Sequence, residues 1–350
     1  MKKIIVVIPN GGGGAEKVSS IYAKIFSRCN ATVKVVLIDK VGKNGPIKDY
    51  IPENIPIIRV ECNHGYSSFF RLYKILKLEK PDYVFCSLTI LSAILVICSF
   101  LIPHIKVITR QCFTPGTESF VVEKIIAVLF PKAFVNIAQT EEMRLSMIDK
   151  YHLPSDKVIT INNPIDEDDI NNKISDFIPA DIQKYSYISI GRIHPQKDFA
   201  TLIKAFSEVK AQHDSAILTI VGAVADKSYY EYLNQLISNL ELQDSVTFID
   251  YTHNPYKRIL SHKCFVLSSI TEGLPNVLLE AMYLLKPVVA TCCIPFISQI
   301  INDGINGYKV EQIGDCHNLA KKMIKAVELN NICNINHNER IISQIQQLIC

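Results

Sequence analysis

The feature that most narrows the fold of this chain is a rhythm that stops and then starts again. Short apolar runs, many of them β-branched, occupy positions 4–8, 33–38, 57–60, 83–86, 106–109 and 133–138, and stretches with helical spacing lie between them. A segment rich in Asn, Asp and Pro, 162–181, interrupts the pattern, which resumes at 187–190 and continues through 216–221, 246–249, 264–267 and 287–290. Continuous apolar strands bury both faces and the intervening helices cover them, so the pattern specifies parallel α/β layers. The restart predicts two such units, Rossmann-like and doubly wound, facing one another across a cleft. Length agrees, because 350 residues exceed what one hydrophobic core usually organises. The expected boundaries are 1–165, then 166–335, then a closing helix in 336–350 that packs back toward the first domain. Helices are expected at 16–27, 199–210, 229–240 and 275–285.

Several classes of protein are excluded early. The eleven cysteines are odd in number and form no C-x-x-C pair. The only close pair is vicinal, Cys292–Cys293, with no histidine at finger spacing, so buried thiols in a reducing cytosol are expected. The run 4–8 follows Lys2 and Lys3 as in an export signal, but Pro9 and Asn10 end it after five apolar residues, and a buried strand is expected instead. Positions 88–105 are almost uncharged over about the length of a spanning helix. Thr89, Ser92, Ser99, Pro103 and His104 within them, and strand-like runs on either side, predict a buried crossover helix. The net charge of +3 conceals an imbalance: residues 1–165 carry 21 Lys+Arg against 13 Asp+Glu, whereas residues 166–350 are net −5. A basic first half suits an anionic surface or ligand. Nucleic acid is not the expected partner, because no basic run with interleaved aromatics is present.

In open parallel sheets ligands bind at the carboxyl ends of the strands, so the loops after strands carry the chemistry. Three stand out. The glycines 11–14 with Ala15 and Glu16 follow the first strand and open a helix, where Gly13 and Gly14 let backbone N–H groups approach an anion. Gly191-Arg192, directly after a strand, and Lys197 before the next helix combine a bidentate fork with a point charge, as a diphosphate needs. Asp198 reads as that helix's cap. The third loop runs Glu272-Gly273-Leu274-Pro275-Asn276 into a helix that contains Glu280. Two carboxylates at different heights suit hydroxyl-rich ligands, and the apolar neighbours of Glu280 imply a buried carboxylate that needs a partner.

Together these residues resemble the retaining glycosyltransferases of family 4, which have the GT-B fold. The Glu272…Glu280 spacing is similar to the family's E-x7-E motif, and the Gly-Arg…Lys loop, the N-terminal Gly-Gly-Ala-Glu and Asn162-Asn163-Pro164-Ile165-Asp166 match its other signatures in order. The resemblance implies that Arg192 and Lys197 hold a sugar-nucleotide diphosphate, that Glu272 meets the donor-sugar hydroxyls, and that Glu280 meets the ribose. It also implies that Gly191 and the backbone of Gly273, Leu274, Pro275 and Asn276 line the donor, with Pro275 offering no N–H, and that Gly13 and Gly14 approach the diphosphate from the first domain. Two positions depart from the family pattern. Thr109-Arg110-Gln111 stand where many members have a histidine, so Arg110 is expected to assist phosphate or acceptor, and Gln299 replaces a glutamate.

The expected activity is retaining transfer of a sugar from a nucleotide-sugar, a UDP-sugar, to a hydroxyl of a lipid-linked glycan acceptor in bacterial surface-polysaccharide assembly (O-antigen, capsule or lipopolysaccharide). The diphosphate oxygen would take the acceptor's proton, and domain closure would exclude water. No cofactor and no metal are expected: the Asp-x-Asp at 166–168 falls in the linker and reads as a polar hinge. A cytoplasmic chain, peripheral on the anionic inner leaflet, is the expected location. Two other readings stay open. A non-catalytic nucleotide-sugar-binding protein would share the fold, and an NAD-dependent oxidoreductase would find its acid in Asp39 but lose its third glycine to Glu16.

Overall fold

Ile4, Ile5, Val6, Val7 and Ile8 are each 2% exposed or less, which requires cover on both faces of the strand they form. In the computed structural model, which describes residues 1–11, 13–41, 45–62, 65–112, 115–116, 118–179, 181–330, 332 and 337–349, that strand is β1 (Lys2–Pro9). It lies inside an all-parallel sheet with β2 (Ala31–Asp39), β3 (Ile57–Glu61), β4 (Tyr83–Cys86), β5 (Lys106–Arg110), β6 (Val135–Ala138) and β7 (Val158–Thr160). The order is β3-β2-β1-β4-β5-β6-β7, with Ile4 opposite Val33 on one side and Tyr83 on the other. A second parallel sheet holds β8 (Ser186–Ile190), β9 (Ile217–Val221), β10 (Val246–Ile249), β11 (Cys264–Leu267), β12 (Val288–Thr291) and β13 (Gly307–Val310), ordered β10-β9-β8-β11-β12-β13. In each sheet the direction of winding reverses beside its first strand, at β1/β4 and at β8/β11.

Helix Gly14–Arg28 buries Val18, Ile21, Tyr22, Ile25 and Phe26, spaced to fill one face. Tyr22 stacks on Phe85 of β4 with ring centroids 4.6 Å apart. The uncharged stretch at 88–105 forms helix Thr89–Leu101, which buries Leu91, Ile94, Leu95 and Cys98. No helix among the described residues is long and apolar enough to cross a membrane. Nine cysteines lie among the described residues, all as free thiols.

The chain divides into two compact units, Met1–Ile165 with Asn336–Cys350, and Asp166–Ile335. Helix His337–Ile349 belongs to the first unit because Ile341, Ile345 and Ile349, each 2% exposed or less, join the core around β1, β2 and the Gly14–Arg28 helix. Buried isoleucines are worth roughly 1.5–3 kcal/mol each. The Asn338 amide fixes the junction: its Oδ1 accepts from Ile165 N at 3.0 Å and its Nδ2 donates to Ile165 O at 2.8 Å. The segment at 162–181 is not a bare hinge. Asp166 caps helix Glu167–Ile174 by accepting from Asp169 N at 3.2 Å, and Glu167, Asp168 and Asp169 fill the first turn, where the helix dipole favours negative charge.

Candidate functional site

The reversal between β8 and β11 sets two loops side by side, and they hold most of the residues singled out in the second half. One backbone and one side-chain bond join them: Ile270 N donates to Gln196 O at 2.9 Å, and Gln196 Nε2 donates to Thr271 O at 2.9 Å. Ser268 Oγ donates to the Lys197 carbonyl at 2.9 Å. Into this frame the Lys197 ammonium projects 2.6 Å from Glu272 Oε1, an oxygen that also accepts from Ser269 Oγ at 2.7 Å. The side chains of Lys197 and Glu272 are 17% and 10% exposed. The pair therefore has limited solvent screening and still opens to the surface.

Two glycines make this approach possible. A Cβ at Gly191 would stand 3.1 Å from Lys197 Cε and 3.2 Å from its Cδ, so the lysine stem lies along the bare glycine. A Cβ at Gly222, the residue after β9, would fall 1.9 Å from the Gly191 carbonyl oxygen. Asp198 holds the neighbouring helix start by accepting from Thr201 N at 3.2 Å. Arg192 is exposed and makes no hydrogen bond or ion pair among the described residues, so its fork is available. Cys293 stays a neutral thiol beside the pair: burial pushes its pKa up to about 12, the Glu272 charge adds to that, and Lys197 opposes it.

Behind the loop, Pro275 precedes helix Asn276–Tyr283, whose Leu278, Leu279, Ala281 and Met282 are buried together with Glu280, 7% exposed. Leu274 and Pro275 are buried, and Gly273 and Asn276 half-buried. The second unit thus gathers Gly191, Arg192, Lys197, Glu272, Gly273, Leu274, Pro275, Asn276 and Glu280 around one sheet edge. Ser268, Ser269 and Gln196 were given no role by the sequence reading, and their signal was there: polar residues in the loops that follow apolar strands.

In the first unit, Gly13 precedes the helix that begins at Gly14, and Gly12 lies outside the described residues. The Glu16 carboxylate folds back over this loop: Cβ atoms at Gly11 and Gly13 would stand 2.6 and 2.5 Å from its oxygens. Asp39, the acid a dinucleotide reading needs, is 3% exposed and accepts from Asn10 Nδ2 at 2.5 Å and Arg59 Nη1 at 3.2 Å. Arg110 is enclosed at 2% exposure, not open on its loop. Its Nη2 donates to Asn163 Oδ1 and its Nη1 to Cys112 Sγ at 3.1 Å, so the guanidinium ties the end of β5 to the segment leaving the unit. Burial pushes the Tyr22 phenol up to about 12 against the opposing charge of Arg110. Among the described residues, no three His, Cys, Asp or Glu side chains converge as a metal site would require.

Comparison with known proteins places this geometry. Residues 171–347 match the family model described as glycosyl transferases group 1. An uncharacterized glycosyltransferase of Methanocaldococcus jannaschii is 28% identical over 243 residues, 64% of this chain, which spans only 59% of that protein's length. A Campylobacter jejuni protein is 26% identical over 310 residues, 83% of this chain and 81% of its own, and is named N-acetylgalactosamine-N,N'-diacetylbacillosaminyl-diphospho-undecaprenol 4-alpha-N-acetylgalactosaminyltransferase. Among solved structures, Anabaena HepE in complex with UDP and glucose superposes with a TM-score of 0.76 at 18% identity, covering 100% of this chain and 98% of that one.

Proposed function

Because the chain belongs to the group 1 glycosyl transferases and has their GT-B fold, we propose that it moves a sugar, with retention of configuration, from a UDP-sugar to a hydroxyl of a lipid-linked glycan. The observation that carries this reading is the Lys197–Glu272 pair at the β8/β11 reversal, with the fork of Arg192 beside it. As the sugar–phosphate bond breaks, negative charge grows on the diphosphate oxygens. Arg192 and Lys197 stabilise that charge more than the ground state, which lowers the barrier. Glu272 holds Lys197 in place and accepts hydrogen bonds from donor-sugar hydroxyls. Glu280 accepts from the ribose, and the N–H groups of Gly273, Leu274 and Asn276 line the donor, with Gly191 leaving room for the lysine. No metal takes part in this scheme, because the fixed cations meet the leaving charge. The new bond to the acceptor oxygen forms on the face that the diphosphate leaves, and a diphosphate oxygen receives the acceptor's proton.

The acceptor assignment draws on the Campylobacter relative, whose name specifies a diphospho-undecaprenol-linked acceptor, and on the net charge of +8 over residues 1–165. On this reading the protein works at the cytoplasmic leaflet of a bacterial membrane, in surface-polysaccharide assembly. The test is calorimetry of UDP-, GDP- and ADP-sugars against the purified protein and its Lys197→Ala variant. Binding of one UDP-sugar, lost in the variant, is the expected result. Folded protein that binds none of them, with or without a lipid-linked acceptor, overturns the reading.

A further inference from the structure

The first unit carries a helix that packs one face on its core through Ile126, Val122, Ala127 and Leu129 and leaves an apolar face outward. Helix Phe120–Leu129 reads FVVEKIIAVL, and only Ile126 of it is buried. Phe120, Val121 and Val128 are 72, 66 and 67% exposed. Positions 120, 124 and 128 follow at intervals of four, so they form one outward stripe with Val121 at its edge. The Lys124 ammonium lies 4.4 Å from the centroid of the Phe120 ring. Against this helix packs Thr89–Leu101, which carries no charge and leaves Ile97, Phe100 and Leu101 at 38, 56 and 58% exposure. Large apolar side chains gathered in this way mark a contact surface.

The same face runs into a hollow of about 810 Å³ whose lining includes Phe100, Lys106, Lys132, Phe134, Lys157 and Leu348, with Asp156 as its one carboxylate. It lies by the amino ends of β5, β6 and β7, at the opposite edge of the sheet from the loops after the strands. The Lys106 ammonium sits 4.7 Å from the Phe134 ring centroid, and Lys157 Nζ donates to the Pro131 carbonyl at 3.0 Å. None of Lys106, Lys124, Lys132 and Lys157 has a carboxylate partner among the described residues. Apolar side chains bordered by ammonium groups that no carboxylate neutralises match one environment above others: acyl chains beneath a layer of lipid phosphates. A second copy of this chain fits less well, because a two-fold contact would set the same lysines against each other.

We propose that this face docks on an anionic phospholipid bilayer. Phe100, Leu101, Phe120, Val121 and Val128 enter the interface, while Lys106, Lys124, Lys132 and Lys157 take lipid phosphates. The proposal deepens the lipid-linked acceptor reading and rests on it for its purpose, since docking brings the enzyme to the leaflet that holds such an acceptor.

The experiment is flotation of the full chain with phosphatidylcholine vesicles and with 3:1 phosphatidylcholine:phosphatidylglycerol vesicles. UDP-sugar binding and light scattering are measured on the same samples. Binding to the anionic vesicles alone is expected, weakening as salt rises. Lys106→Gln with Lys132→Gln should weaken it roughly thirtyfold, at about fivefold per basic residue. Val121→Ser with Val128→Ser should weaken it at least about tenfold. Both surface variants should keep the wild-type circular dichroism and donor affinity. Donor binding without vesicle binding, or vesicle binding indifferent to both variants, overturns the docking face and leaves the transferase reading standing. A wild-type dimer that the valine variant converts to monomer overturns it in favour of a contact between copies. Loss of donor binding in the wild type would instead strike at the transferase reading.

Discussion

The Lys197–Glu272 contact can be dismantled in two steps that separate its structural from its chemical role. Lys197→Met removes the ammonium and keeps a stem to lie along Gly191. It strands the Glu272 carboxylate, 10% exposed, with the Ser269 hydroxyl as its remaining donor. Exposed pairs contribute up to about 1 kcal/mol, whereas breaking a fully buried pair costs about 3–5 kcal/mol. Side-chain exposures of 17 and 10% place this pair between those limits, so a loss of about 2 kcal/mol is expected. For a unit the size of Asp166–Ile335, each kcal/mol moves the melting temperature by about 2–4 °C, which gives a fall of about 4–8 °C. Adding Glu272→Gln removes the stranded charge and still accepts from Ser269, so the double variant should melt within about 2 °C of the wild type. Donor affinity should not follow. One charge-assisted hydrogen bond is worth about 1.5–3 kcal/mol, so the dissociation constant for the UDP-sugar should rise roughly ten- to 150-fold in both variants. Scanning and titration calorimetry on the same preparations read both quantities. A double variant that recovers donor affinity along with stability would refute the reading, because the pair would then be only a clamp between two loops.

Other outcomes follow from the same geometry. Gly222→Ala puts a methyl 1.9 Å from a backbone oxygen that has no side chain to yield. A loss of at least about 3 kcal/mol is expected in urea unfolding. Gly191→Ala meets only the flexible lysine stem at 3.1 Å; stability should change by less than about 1 kcal/mol, while donor affinity falls several-fold as Lys197 is displaced. His337 is half-buried against the Asn163 carbonyl, its Nε2 2.7 Å away, and desolvation of the ring holds its pKa below the ordinary 6.5. The unfolded chain therefore binds a proton that the folded chain refuses, and this stability is present above pH 6.5 and lost as pH falls through the folded value. Melts of the wild type between pH 7.5 and 5 should show that decline, and His337→Gln should reduce it.

The interior strands were readable because burial on both faces writes them as unbroken apolar runs; β4 and β11, buried throughout, lie at the positions expected. The two strands the pattern did not reveal, β7 and β13, end their sheets, and about half or more of their residues are only half-buried, so no long apolar run announces them. Helix Glu167–Ile174 was hidden by composition: the acidic residues that read as a polar hinge are the cap and first turn of a helix that buries Ile170. Within the site, residue type and spacing placed Lys197 and Glu272 in two loops that follow strands but could not state that they touch, since that depends on β8 pairing with β11, which brings together two residues 75 apart in the chain. Arg110 shows the converse. A cation after a strand suggests a ligand contact, yet only the folded chain reveals Asn163 as its partner.

The first unit is discontinuous, and this orders the events of synthesis. Residues 337–349 are made only after the whole of Asp166–Ile335 has been made. Until then the surface awaiting Ile341, Ile345 and Ile349 lies bare, a deficit of roughly 5–9 kcal/mol, comparable with the whole stability of an ordinary domain. The second unit has all its strands and helices in one continuous stretch and needs nothing from the rest of the chain to close its core. The half of the protein translated second is therefore the half able to finish folding first. A ribosome stalled between the two would leave its nascent chain dependent on chaperones at the end that emerged earliest.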